Sequence, residues 1–123
     1  MAVNKKPEKP KRFSEAYGQP AFDFPGVQVE EKAIREKEIT IYDFAILNGA
    51  FGEFAVVDAE LTEEIEINIE NAVTKVKRVQ FAEGSDVIRR QLKKAKEDKN
   101  LPLIAKIVER TSDKSKMTYR TLE

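Results

Sequence analysis

The sequence contains no cysteine, no histidine and no tryptophan. Without cysteine there are no disulfides and no thiolate metal sites, and without histidine the commonest general base and metal ligand are missing. No apolar run approaches the roughly 20 residues that a membrane-spanning helix requires. Residues 1–13 carry charge where a signal peptide is apolar. These absences predict a soluble, cytoplasmic protein that needs no cofactor.

Catalytic constellations are also missing from the sequence. A nucleophile and base would have to be Ser or Thr with Lys or Asp, and no such pair stands out. Several glutamates between residues 63 and 70 offer the oxygen ligands that a hard cation prefers. Consecutive glutamates on an exposed strand are more often a solvated face, and no phosphate-binding glycine loop is present. The sequence therefore predicts a protein that is not an enzyme and holds no metal.

The charged residues that are present divide into two blocks, although the formal net charge is zero. Residues 38–74 contain nine Asp or Glu and no Lys or Arg, whereas residues 75–123 contain fourteen Lys or Arg and seven Asp or Glu. This division predicts a domain with an acidic side and a basic side. A segregated positive surface favours polyanionic partners.

The 123 residues are enough for one domain, and their composition places its beginning near residue 38. Residues 1–37 are predicted to form a basic arm, rich in Pro, Gly and aromatic residues, that is largely extended or disordered. Two interpretations of its aromatic residues remain open. They either lie along the surface of their own domain, or they dock on a neighbouring subunit or stack on bases.

Residues 38–123 predict a strand-rich domain with one helix. Apolar and β-branched runs at 39–47 and 53–61 flank the turn signal Asn48-Gly49. A strictly alternating segment at 64–70 either extends the second strand or begins the third, and 75–81 forms a further strand with a bulge near Arg78. Ser85 is the predicted N-cap of a helix that ends near residues 99–100, before Pro102. Strands at 103–110 and 116–122 close the chain.

This order of elements predicts a mainly β fold, the five-stranded Greek-key barrel known as the OB-fold, with its helix between the third and fourth strands. The second half also resembles small single-stranded DNA-binding proteins of phages and mobile elements. The resemblance rests on four stretches of sequence. They are the helix start Gly84-Ser85-Asp86-Val87, the pair Leu101-Pro102, the strand Ala105-Lys106-Ile107-Val108 and the closing Thr118-Tyr119. It implies protection or organisation of single strands during replication or recombination.

Binding of single strands requires cations for phosphates and exposed rings for bases. The OB-fold provides its site on the face of strands two and three and on the loops that join strands 1–2 and 4–5. The predicted phosphate contacts are Lys75, Lys77, Arg78, Lys106, Arg110, Lys114, Lys116 and Arg120. The predicted stacking rings are Tyr42, Phe51 and Tyr119, each of which has burial in the core as its alternative. Phe44, Phe54 and Phe81 are predicted core residues, and the basic helix is predicted to be a solvated face.

The predicted partners are therefore single-stranded DNA or RNA, a second copy of the chain in a homo-oligomer, and replication or recombination proteins. A different class of function remains open. A domain of this kind can also be a non-catalytic assembly module, in which an exposed strand edge pairs with another chain. Salt distinguishes the two, because only polyanion binding weakens steeply as salt rises.

Overall fold

A computed structural model describes residues 23–123 of the protein. This part of the chain is mainly β, with six strands and two short helices. The elements in chain order are β1 (Val27–Gln28), α1 (Glu31–Ile34), β2 (Glu38–Gly49), β3 (Gly52–Ile69), β4 (Ala72–Glu83), α2 (Asp86–Glu97), β5 (Leu103–Thr111) and β6 (Thr118–Leu122).

The first hairpin joins β2 and β3 at the predicted turn. Gly49 pairs with Gly52, which leaves Ala50 and Phe51 as a two-residue loop. Gly52 has a φ of 111°, a backbone conformation that residues with a Cβ rarely adopt. The pairing continues along both strands to Ile39 and Leu61, with an irregularity at Tyr42.

The second hairpin joins β3 and β4. The alternating segment 64–70 extends β3, which becomes one strand of 18 residues. Glu70 and Asn71 form the turn with φ values of 51° and 67°, as a two-residue turn with two left-handed residues requires. The register shifts where Glu60 pairs with Arg78 and Ile65 with Val76, which confirms an irregularity near Arg78. The additional residues lie on β3 rather than on β4.

The long helix α2 follows its predicted boundaries. Ser85 is its N-cap, and the Ser85 hydroxyl accepts a hydrogen bond from the Ile88 amide at 3.3 Å. Ile88 and Leu92 are fully buried and pack in the core, whereas the basic residues of this helix face outward. The core itself lies inside the curl of the sheet and contains Phe44 and Phe81, as predicted. The prediction was wrong for Phe54, which is only partly buried and points away from the core because it alternates with the core residue Ala55.

The strands form one sheet in the order β1-β4-β3-β2-β5-β6, curled into an open half-barrel. The barrel-like class is thus confirmed, but the sheet has six strands among the described residues because β1 adds one to the predicted five. Closing this sheet into a barrel would require β4 to meet β6. Instead, β1 pairs in parallel with β4 at Val79 and Gln80.

Side chains from the start of α2 occupy the free edge of β6. The Gln91 carboxamide accepts a hydrogen bond from the Leu122 amide at 2.9 Å and donates one to the Leu122 carbonyl at 3.1 Å. The Ser85 hydroxyl donates to the Arg120 carbonyl at 3.1 Å. In addition, the Arg120 guanidinium contacts the buried Glu83 carboxylate at 2.5 Å. We call this boundary between β4 and β6 the seam.

Part of the predicted arm packs against the sheet. The Gly26 backbone lies so close to β4 that a Cβ there would be 2.5 Å from the Val79 carbonyl carbon. The Gln80 side-chain amide donates to the carbonyls of Phe24 and Gly26. Ile34 is fully buried in the core. Residues 1–22, which include the basic stretch and three of the arm's aromatic residues, lie outside the described residues.

Candidate nucleic-acid interface

The candidate interface begins with the sheet surface opposite the core, which we call the outer face. Ala55, Val57 and Ala59 of β3 point into the core, as do Val79 and Phe81 of β4. Because side chains alternate along a strand, the residues between them lie on the outer face. These residues are Phe54, Val56, Asp58 and Glu60 of β3 and Arg78, Gln80 and Ala82 of β4.

Phe51 is the most exposed large apolar residue of the described chain. Its side chain is fully exposed at the tip of the β2–β3 hairpin. It borders a groove of about 580 Å³ at the upper end of the outer face, whose other walls include Phe54, Ala82 and Gly84. A Cβ at Gly84 would meet no atom within 4 Å, so this wall of the groove is open. The groove offers apolar surface on which a flat ring can lie.

Tyr42 and Arg78 come together lower on the same face. The Arg78 guanidinium carbon lies 4.2 Å from the centroid of the Tyr42 ring, a cation–π contact. The phenol hydroxyl of Tyr42 donates to the Glu60 carboxylate at 3.0 Å. That hydrogen bond is the main reason why the pKa of Tyr42 is raised, since it favours the protonated phenol.

Asp58 fixes the position of Arg78. The guanidinium donates from Nε and Nη2 to the two carboxylate oxygens of Asp58, at 3.0 and 2.9 Å. Asp58 is buried, and this fork-shaped pair raises the pKa of Arg78. We call Tyr42, Asp58, Glu60 and Arg78 the tyrosine–arginine cluster. Sequence reasoning named its Tyr and Arg but missed its two carboxylates, which lay in the block interpreted as an acidic side.

Five predicted phosphate contacts are exposed lysines. The ion pairs and side-chain hydrogen bonds found within residues 23–123 include none of the five. Two of them lie on β4, one on β5 and two in the β5–β6 loop; they are Lys75, Lys77, Lys106, Lys114 and Lys116. Their ammonium groups are available to an anionic ligand.

The remaining predicted residues lie on β5 and β6. Tyr119 is exposed and pairs in register with Arg110. The Arg110 guanidinium contacts the Glu123 carboxylate at 2.5 Å, with both side chains about half exposed. Arg120 instead turns into the seam, where the hydrogen bond to Glu83 raises its pKa. The structure therefore places Arg120 beside an internal carboxylate, and its role as a phosphate contact stays a prediction.

The predicted separation of an acidic side from a basic side is wrong for the paired region. The antiparallel register sets Glu66 opposite Lys75 and Glu60 opposite Arg78. Ion pairs also join Arg89 to Glu53 and Lys96 to Asp43 across the two blocks. The hairpin folds the basic block back onto the acidic one, so the local charges mix.

No other chemistry is evident in the described residues. Across residues 23–123, His, Cys, Asp and Glu do not gather in any group of three or more that could hold a metal ion. In the same stretch, neither helix has the length and apolar character needed to cross a membrane. Comparison with known proteins found no family model, no curated protein and no solved structure that matches the chain.

Proposed function

We propose that this protein binds single-stranded DNA with little dependence on overall sequence. The fully exposed ring of Phe51 beside an apolar groove carries the proposal. An exposed aromatic residue at a glycine-flanked hairpin tip has no packing role to explain it. Stacking of a base on such a ring contributes about 1–3 kcal/mol.

The fold supports the same proposal. We propose that β2 to β6 are the five strands of an OB barrel that has opened at its seam, with α2 between the third and fourth strands. In that fold the ligand lies on the face of strands two and three and on the loops between strands 1–2 and 4–5. Those parts correspond here to the outer face, the Phe51 turn and the loop that carries Lys114 and Lys116.

Five lysines that have no ion-pair partner within residues 23–123 supply the electrostatic contribution to binding. Each phosphate neutralised on a single strand contributes roughly −0.7 to the slope of log K against log salt. If all five bind phosphates, the slope is about −3.5. The proposed cellular role is protection or organisation of single strands in replication or recombination of a phage or mobile element.

The test is binding of a fluorescent thymidine strand of about 30 nucleotides and of the matching duplex, at low and moderate salt. We expect preference for the single strand and a steep loss of affinity with salt. Phe51→Ala is expected to weaken binding about fivefold or more without lowering stability. Val73→Ala is the matched control, since Val73 is an exposed apolar residue beside the other hairpin turn. Absence of binding at low salt would refute the proposal, whereas stronger binding to RNA would reassign the ligand.

One observation favours a second candidate function, assembly with another chain. β2 ends its pairing with β3 at Ile39 and Leu61, so among the described strands residues 65–69 of β3 pair with β4 alone. This edge can accept a strand from a second copy, which would give the predicted homo-oligomer. Sedimentation at several salt concentrations distinguishes the candidates, since strand pairing is nearly independent of salt.

A further inference from the structure

The tyrosine–arginine cluster is poorly suited to hold a phosphate. Arg78 directs Nε and Nη2 at Asp58, which leaves few donors for a second anion. The cluster contains one guanidinium and two carboxylates, Asp58 and Glu60. A phosphate brought close to it would meet a local excess of negative charge and would be repelled.

The same cluster is well suited to hold a flat base. A guanidinium is planar, stacks on aromatic rings, and serves as a stacking surface for unpaired bases. One side of the Arg78 guanidinium is covered by the Tyr42 ring, and its two hydrogen bonds to Asp58 fix the plane. The Arg78 side chain is 36% exposed. The Tyr42 ring is equally exposed, so the stacked guanidinium and phenol ring together form a rigid, flat platform.

Glu60 determines which base edge fits beside this platform. Its Oε1 accepts the hydrogen bond from Tyr42, and no hydrogen bond within residues 23–123 uses Oε2. A carboxylate only accepts hydrogen bonds, so it favours a base that presents donors. Guanine presents two adjacent donors, N1–H and the exocyclic amino group, on its Watson–Crick edge. Adenine and cytosine present one amino group beside an acceptor nitrogen, and thymine presents one N–H between two carbonyls.

We propose that Arg78, Tyr42 and Glu60 form a subsite that selects guanine within a bound single strand. The inference rests on the proposed function, because it places this subsite on the same outer face as the Phe51 groove. Phe54 and Glu60 are six residues apart on β3, which corresponds to roughly 20 Å. A DNA strand that stacks at Phe51 therefore spans a few nucleotides to reach Arg78, and it makes no contact with Val56 and Asp58 between them, which are buried.

The test compares fluorescent strands of about 20 nucleotides, a length beyond the site size of one OB-fold. One strand is thymidine throughout, and three others carry guanine, adenine or inosine at every fourth position, which avoids runs of guanine. Adenine controls for the stronger stacking of purines, and inosine lacks only the exocyclic amino group. We expect the guanine strand to bind about fivefold or more tightly than the adenine strand, with inosine between them.

Glu60→Gln is the decisive variant, since it replaces the carboxylate on an exposed part of the strand. It is expected to bring the ratio of guanine-strand affinity to adenine-strand affinity close to one, whatever it does to the affinity for thymidine. Glu66→Gln makes the same change farther along β3 and is expected to keep the preference. Arg78→Lys keeps the charge but removes the planar platform, so it is expected to weaken binding to every strand without a change in the salt slope.

Each other outcome overturns a specific statement. Equal affinity for guanine and adenine strands overturns the subsite and leaves the proposed function intact. A guanine preference that survives Glu60→Gln overturns the role of Glu60. A salt slope that falls by about one in Arg78→Ala and is restored in Arg78→Lys identifies a phosphate contact and refutes the platform. If no strand binds at low salt, the proposed function itself fails.

Discussion

The sharpest stability prediction concerns two arginines whose ion pairs have the same length. Arg120 contacts Glu83 and Arg110 contacts Glu123, each at 2.5 Å. The pairs differ in burial, because the Glu83 side chain is fully buried whereas that of Glu123 is 47% exposed. Arg120 also lies 3.7 Å from the Glu31 carboxylate. Replacement of each arginine by alanine therefore compares the loss of a buried group of ion pairs with the loss of an exposed pair of the same shortest distance.

The expected magnitudes follow from what each substitution leaves behind. Arg120→Ala leaves a buried carboxylate whose remaining described hydrogen bond is the one from the Ser85 amide at 2.9 Å. Removal of one partner from a buried pair costs about 3–5 kcal/mol, and the lower end applies because Arg120 is 30% exposed. Arg110→Ala leaves a solvated carboxylate, so its cost is about 0–1 kcal/mol.

Urea unfolding followed by circular dichroism measures both differences in the free energy of unfolding. Arg120→Lys provides a third point, since it keeps a positive charge near Glu83 but loses the planar geometry of the guanidinium. It is expected to fall between the wild type and Arg120→Ala. Equal losses for Arg120→Ala and Arg110→Ala would refute the reasoning, because they would show that the seam is no less solvated than the surface.

Two further predictions test the segment before β2 and the outer face. Gly26→Ala places a Cβ 2.5 Å from the Val79 backbone, so it is expected to release β1 from β4. The Val29 amide donates to the Gln80 carbonyl at 2.9 Å, and its rate of hydrogen exchange should rise in the variant. An unchanged exchange rate would contradict the close approach of Gly26 to β4. The pKa of Tyr42 is raised, so the folded state holds the phenol proton more tightly than the unfolded state does. The contribution of Tyr42 to the free energy of unfolding is therefore complete below the ordinary tyrosine pKa and is lost as the pH rises through the pKa of Tyr42 in the folded state. Ultraviolet titration should show a late-titrating tyrosine component in the wild type that moves to lower pH in Glu60→Gln. Identical titration curves for the two proteins would disprove the hydrogen bond.

Local signals in the sequence predicted most of the fold because each depends on neighbouring residues. The cap at Ser85 and the first hairpin turn are determined by the backbone and side chains within a few positions. The cap lies where it was predicted, whereas the turn is formed by Ala50 and Phe51, directly after the predicted Asn48-Gly49. β1 and α1 were missed because a strand of two residues and a helix of four have no detectable period. Their positions depend on tertiary contacts, such as the burial of Ile34 and the approach of Gly26 to β4.

The candidate site was predictable only where exposure follows from local structure. The turn signal in residues 48–52 predicts Phe51 at the tip of a hairpin, and its side chain is fully exposed there. The partners of Arg78 depend on the register of β3 against β4, which brings Asp58 and Glu60 within reach of one guanidinium. Register is a long-range property, and the block-wise count of charges in the sequence does not contain it.

The seam has a consequence for how the domain opens. Three side-chain hydrogen bonds and one ion pair hold the free edge of β6 to α2 and β4, in place of the continuous ladder that a closed barrel would have. A ladder opens cooperatively, whereas isolated side-chain bonds break one at a time. The edge of β6 can therefore separate from α2 while β2, β3 and β4 stay paired. If the protein binds single strands as proposed, this edge is where the domain would widen around a ligand, with no change in the β2–β3–β4 part of the sheet.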